Sequence, residues 1–326
     1  MRLLLTGVTG KVGQNFLPSF LKSDQFREAT VVALCNNRTI PETDRVSVLR
    51  GSLGDRATVA AALDGVTHVI HMAAVKESPD LCMDVAVKGM FLLLESFRQS
   101  PTAQQFILIG GDCSVGHAFQ PHDGPVTEQS PLKAYPGCYA LTKVLEEVML
   151  QQYQLQYGLN GTILRAPWIM EKDDFRYALR FGDDQFGGPT WDNYLTQDEI
   201  AASAEAELVP LILDRDGTPL HRNFVHVDDL VAAMLAALDN PAAMGELFNI
   251  AMNQPVDYGA VADYLQTTRG LGSKTVETDM ISNWLDNAKA RLRLGWHPKI
   301  DLAQLIENAW DYQRKADDPR KIWYPG

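Results

Sequence analysis

Apolar residues along this chain come first as short unbroken runs and then at helical spacing, and the two patterns alternate. Arg2-Leu3-Leu4-Leu5 is a run that stops at Thr6-Gly7, after which Phe16, Leu17, Phe20 and Leu21 recur at the interval of a helix face. Pro18 falls inside that predicted helix, where it should remove a hydrogen bond or bend the axis. Further runs at 30–34, 46–49, 66–72 and 105–109 predict buried strands, with helical patterns at Val59 and Leu63 and at 84–99 between them. A helix from Tyr139 through Leu145, Val148 and Met149 ends at Gly158, a left-handed cap, and a strand at 161–165 closes with Ala166-Pro167-Trp168. Strands and helices alternating at this length predict an α/β fold, a doubly wound parallel sheet covered on both faces.

From about Ile169 the pattern breaks. Residues 171–207 are rich in acids, aromatics and glycines without strand alternation, an excursion of the kind that carries substrate contacts. A short strand at 224–227 follows, with Asp228-Asp229 expected to cap a helix containing Leu230, Met234 and Leu238. Another strand is predicted at 246–250, and the C-terminal region reads as mostly helical.

Composition narrows the function. With 326 residues and 46% apolar content the chain can build one large domain or two. Its first apolar run is too short for a signal peptide and no later run reaches membrane-spanning length, so a cytoplasmic location without a membrane partner is expected. A formal charge of −12, with the acids spread along the chain, argues against nucleic acid as a partner. Cys35, Cys82, Cys113 and Cys138 lie far apart and read as free thiols. His117 and His122 share a loop with Asp123, read as an exposed polar loop, and no metal site is assigned.

Two stretches carry candidate chemistry. Thr6-Gly7-Val8-Thr9-Gly10-Lys11-Val12-Gly13 places three glycines directly between the first strand and the first helix. Gly7 permits a tight turn, Gly10 lets backbone approach a pyrophosphate, and Gly13 lets helix and strand pack closely, so the turn reads as a dinucleotide site. At the end of the second strand Cys35 stands where an acid would accept from the adenosine ribose, with Asn36 beside it and Arg38 able to accommodate a 2′-phosphate or equally to be a solvated loop residue; the cofactor is NAD or NADP, with a slight lean to NADP. The second stretch is Tyr139-Ala140-Leu141-Thr142-Lys143. Residues four apart share a helix face, and an ammonium beside a phenol favours the phenolate, making tyrosine a usable base or acid. His71 and His226 lie in apolar strands and are read as core histidines.

The glycine turn, the tyrosine-lysine pair and the order of elements resemble the extended short-chain dehydrogenase/reductase family, also called the NAD-dependent epimerase/dehydratase family. Thr6–Gly13 matches its cofactor turn, His68-Val69-Ile70-His71-Met72-Ala73-Ala74 its fourth strand, Pro136 to Lys143 its catalytic segment, and Arg222 to Asp229 and Leu294-Gly295-Trp296-His297-Pro298 later signatures. The resemblance implies a Rossmann-type domain, 1–168 with 224–252, and a smaller, mostly C-terminal substrate-binding domain, 169–223 with 253–326. It implies a cofactor site at Gly7, Thr9, Gly10, Lys11, Val12, Gly13, Asn36, Arg38, Ser52, Leu53, Ala73, Ala74, Tyr139, Lys143 and Pro167. Tyr139 is implied to be the acid/base and Lys143 its partner. The family's serine or threonine after the fifth strand falls at Gly111 on one count and Ser114 on another; Ser114 is taken as the hydroxyl, with a plain turn residue as the alternative. Ala86 and Met90 stand where an asparagine and a threonine are common, and Ser52 where an aspartate is. Lys76, Ser114, Trp168 and Arg222 are assigned to the substrate; Arg222 either contacts a substrate phosphate or pairs with a neighbouring acid, and Lys76 sits at the mouth of the site, where a solvated rim residue is the alternative to a ligand group. The expected function is an NAD(P)-dependent oxidoreductase moving hydride between the nicotinamide and a hydroxyl-bearing carbon of a carbohydrate-like small molecule. Sugar or sugar-nucleotide epimerisation or dehydration, and non-catalytic dinucleotide sensing, are the alternatives. The resemblance also implies a homodimer through the helices near 84–99 and 139–157.

Overall fold

The structure, a computed structural model, describes residues 1–318. Residues 319–326, the end of the expected 253–326 segment, lie outside the described residues.

Seven parallel strands form the central sheet. In chain order they are β1 (Arg2–Thr6), β2 (Thr30–Cys35), β3 (Val46–Arg50), β4 (His68–His71), β5 (Gln105–Gly111), β6 (Gly161–Ala166) and the strand Leu247–Asn249. Their spatial order runs from Leu247–Asn249 through β6, β5, β4, β1 and β2 to β3. The order reverses between β1 and β4, and a crevice opens beyond the carboxyl ends of strands at such a point. Both faces are covered. Leu3, Leu5, Ile107 and Ile109 pack into one core cluster and Leu4, Phe106 and Leu108 into another, the two-residue period of a strand buried on both sides.

Helix α1 (Lys11–Lys22) buries Gly13, Phe16 and Phe20 and continues uninterrupted through Pro18. After α2 (Arg56–Ala62), a π-helical turn Cys82–Val87 runs into the helix Lys88–Gln99. Ala86 and Met90 are both core residues there. The helix Cys138–Tyr157 ends at Gly158 in the left-handed conformation.

A second core gathers Met170, Phe175, Phe186, Val209, Val256 and Leu305. Phe224 and Met252 belong to this core, whereas Val225 and Ile250 belong to the sheet. Phe224–His226 pairs not with the large sheet but with Trp168–Met170. The excursion after Ile169 holds the helices Asp174–Ala178 and Gln197–Glu205, the second closed by a reciprocal Thr196–Glu199 capping box. Two expectations are corrected. The C-terminal region includes a strand, Ser273–Glu277, parallel to Val209–Leu213; only Val276 of it is buried, so no apolar run marks it. The helix Val227–Ala237 is capped by His226, whose Nδ1 accepts from the Asp228 amide, while Asp229 turns inward to accept from the amides of Lys299 and Ile300. All four cysteines are free thiols, and among the described residues no helix is long and apolar enough to cross a membrane.

Gly13 rests directly on Val8, where an added Cβ would lie 2.6 Å from the Val8 carbonyl oxygen. Backbone on one side and a helix on the other cannot both give way, so Gly13→Ala should cost at least about 2 kcal/mol of stability. Chemical denaturation of the two proteins checks it, and an unchanged midpoint would contradict the packing described.

Candidate active site

A cleft of about 1480 Å³ opens at the carboxyl ends of the central strands and extends to the second core. Its near wall is the glycine turn. Gly7 has a φ of +71°, and a Cβ there would sit 2.6 Å from the Ala73 amide nitrogen, so only glycine lets β1 and the loop after β4 meet so closely. The Gly10 amide donates to the Gly7 carbonyl at 3.0 Å, and Gly10 caps α1, directing the helix's unpaired amides into the cleft. Thr6 Oγ1 fastens the same junction through His71 Nδ1 at 2.7 Å, and burial pushes His71 down to about 3, leaving it a neutral core histidine.

Gly7, Thr9, Gly10, Lys11 and Val12 line the cleft, as do Asn36, Arg38, Leu53, Ala73, Ala74 and Pro167. Two residues assigned to the cofactor do not. Gly13 is turned towards Val8, and Ser52 Oγ accepts from the Gly54 amide at 3.1 Å within its own turn. Lys11 reaches away from the turn: its Nζ donates to Asp174 at 2.6 Å and to the Ile169 carbonyl at 3.0 Å.

Tyr139 and Lys143 both line the cleft, one turn apart on the helix Cys138–Tyr157. Lys143 is 3% exposed, and its ammonium is held by Glu146 at 2.8 Å and by the Ile109 carbonyl at 3.2 Å. It lies 6.0 Å from the Tyr139 ring centroid, whereas Lys76 stands over that ring at 3.4 Å. Burial, reinforced by Cys113, Tyr135, Glu146 and Asp112, holds the Tyr139 phenol well above its ordinary value. The phenol is therefore protonated at neutral pH. Burial also pushes Lys76 down to about 8, with Lys143 and Lys11 adding to the effect. Burial raises Glu146, against the pull of Lys143.

The expectation for Ser114 is corrected. The turn Asp112–Val115 rotates its hydroxyl out of the cleft, where its one hydrogen is shared between Glu147 at 2.7 Å and the Gly111 carbonyl at 2.8 Å. Glu147 also receives the fully buried Arg165 guanidinium at 2.7 Å, and Arg165 extends the network to Asn249. An ionised pair with so little access to water needs such added donors to offset its desolvation. Asp112 and Cys113, not Ser114, line the cleft at this turn, and burial pushes the Cys113 thiol up to about 12.

Arg222 and Trp168 line the far side. The guanidinium stands 4.1 Å over the Trp168 ring and donates to the Gly188 carbonyl at 3.0 Å. Its partner is His117, which is buried and lines the cleft, contrary to its reading as part of an exposed polar loop. The sequence offers no local signal for this contact, because His117 and Arg222 are far apart along the chain. Among the described residues no group of three His, Cys, Asp or Glu side chains is placed to hold a metal.

The comparisons with known proteins agree with this arrangement. Residues 3–170 and 176–251 match the model of the NAD dependent epimerase/dehydratase family. The chain is 24% identical to UDP-glucose 4-epimerase of Yersinia enterocolitica, covering 96% of this chain and 98% of that protein. It is 23% identical to dTDP-glucose 4,6-dehydratase of Streptomyces antibioticus, over 100% of this chain and 95% of the relative. Among solved structures, a short-chain dehydrogenase/reductase superfamily protein of Agrobacterium tumefaciens with bound NAD superposes with a TM-score of 0.78 at 24% identity, covering 96% of this chain and 97% of that one. The family match spans most of the length and includes the glycine turn and the Tyr139–Lys143 helix, so the chain belongs to the NAD dependent epimerase/dehydratase family of enzymes.

Proposed function

We propose that this enzyme oxidises a hydroxyl-bearing carbon of a sugar with Tyr139 as its acid/base. The observation that carries the reading is the pair Tyr139 and Lys143 on one helix face, opening into the cleft at the switch point of the sheet. A nicotinamide dinucleotide suits the near wall. The α1 amides favour its phosphates, and a Cβ at Gly10 would narrow that cradle, meeting the Gly7 carbonyl at 3.3 Å. When bound, the nicotinamide accepts or returns the hydride. Tyr139 then receives the proton of the substrate hydroxyl or gives it back. Burial keeps the phenol protonated, the form that gives a proton to a carbonyl oxygen, so the opposite direction, taking the hydroxyl proton, first needs the phenolate that the Lys143 charge favours. Lys143 holds one end of this exchange by its charge, while Glu146 and Ile109 fix the ammonium. Arg222 holds an anionic group of the substrate at the far wall, beside the Trp168 ring. The second core, with the excursion after Ile169, forms the substrate-binding part.

A second reading, that the hydride returns to the same sugar and the product is an epimer of a nucleotide-linked sugar, is favoured by the names of the relatives. A panel of free sugars, sugar acids and UDP-sugars, assayed both for reduced cofactor and for epimer formation, separates the two outcomes. On either reading Tyr139→Phe should lower turnover by about 10²- to 10⁴-fold with cofactor affinity nearly intact. Ser114→Ala should keep turnover within a few-fold, and instead lower stability by about 1–3 kcal/mol through the lost donor to Glu147. The reverse result in steady-state assays would overturn the assignment of the base.

The cofactor pocket has no carboxylate at the end of β2, and Arg38 lines its edge, so the reading includes acceptance of NADP alongside the NAD bound by structural relatives. Arg38→Ala should weaken NADP several-fold and leave NAD unchanged. Titration with each cofactor checks this, and a wild type that rejects NADP would sink it. A homodimer belongs to the same reading, because Phe91, Leu141, Val148 and Leu155 leave an exposed apolar face on the helices Lys88–Gln99 and Cys138–Tyr157. Sedimentation should find a dimer at micromolar concentration; a monomer would remove that part of the proposal.

A further inference from the structure

His117 has a conformation that needs a reason. Its backbone φ is +45°, a region that costs a β-carbon-bearing residue about 1 kcal/mol or more. Several contacts impose it. The His117 amide donates to the Asp112 carbonyl at 3.1 Å, and its carbonyl receives the Asn283 side-chain amide, which is itself bonded to Asn223. The ring is thereby held between two charged groups, with Nδ1 2.5 Å from Asp112 Oδ2 and Nε2 2.9 Å from Arg222 Nε.

The chemistry of these partners sets the proton. A guanidinium nitrogen can only donate, so Nε2 accepts, and Nδ1 carries the hydrogen that goes to Asp112. The ring is neutral. A carboxylate paired directly with Arg222 would cancel much of its charge, whereas a neutral imidazole fixes the guanidinium and leaves that charge in place. The Gly188 carbonyl and the Trp168 face complete the clamp, so few rotamers remain to be lost when a ligand binds.

We infer that His117 is a positioning residue for Arg222, holding its guanidinium oriented and fully charged in the cleft to receive a substrate oxyanion, a carboxylate or a phosphate. This rests on the reading that Arg222 binds the substrate's anionic group. Strain at His117 is thus maintained where orientation, not stability, is gained.

The test uses NAD-saturated enzyme titrated calorimetrically with UDP and with glucuronate, which present the oxyanion as phosphate or as carboxylate. One of the two should bind. His117→Asn tolerates the left-handed backbone but is too short to bridge Asp112 and Arg222, and it should weaken that probe about tenfold without changing NAD affinity. Arg222→Met should weaken it at least as much, the double variant no further, and His117→Gln should recover most of the loss. If neither probe binds, or Arg222→Met has no effect, the role proposed for Arg222 fails and the inference with it. If Arg222→Met weakens the probe and His117→Asn does not, or the two losses multiply, only the positioning role fails. An independent readout is the two-bond proton–nitrogen correlation spectrum of the holoenzyme: a neutral His117 with its proton on Nδ1 is expected at neutral pH, and a charged ring or the opposite tautomer overturns the inference.

Discussion

Everything at this site depends on how closely two pieces of backbone can approach at the switch point of the sheet. Gly7 lies against Ala73 with no room for a side chain, and Gly13 lies against Val8 in the same way. These contacts bring the amino end of α1 and the loop after β4 to one side of the cleft. Thr6 and His71 lock that junction with a bond that water cannot reach. A single added methyl group at either glycine would push apart the glycine turn and the elements packed against it on that side of the cleft.

Three cations that line the cleft are each fixed by groups of the protein. Lys143 is held from behind by Glu146 and the end of β5, and Arg222 by His117 and a backbone carbonyl. Lys11 is tied to Asp174, which connects the first helix with the excursion after Ile169. Behind these groups lies the buried Glu147–Arg165 pair, joined by Ser114 and Asn249. It links the helix that carries Tyr139 to β6 and the turn after β5, so the position of the phenol is set by a polar network inside an otherwise apolar core.

Much of this was legible in the chain, for identifiable reasons. Glycines at fixed intervals after a strand report backbone geometry directly, and the alternation of apolar runs with helical spacing reports the layered sheet. Tyr139 and Lys143 were readable because four residues on a helix is a distance in space. Ser114 was not, because a short turn decides which way a side chain points and a shift of one position redirects it. His117 looked like loop surface because its partner Arg222 is 105 positions away in sequence, beyond any local pattern. The strand Ser273–Glu277 was hidden for the opposite reason: it lies nearly exposed, and the pairing that defines it leaves almost no apolar trace.

The sheet's final strand, Leu247–Asn249, pairs with β6 only after the chain has completed the whole excursion between them. Until that return, β6 has an unpaired edge whose every residue is destined for burial. Closing a long loop adds little entropic cost beyond that of a shorter one, so the equilibrium tolerates the detour. The order of events does not. During synthesis the central sheet is left with an open, adhesive margin until residues from beyond the excursion arrive, and any chain cut short within that stretch ends as a sheet with a sticky border.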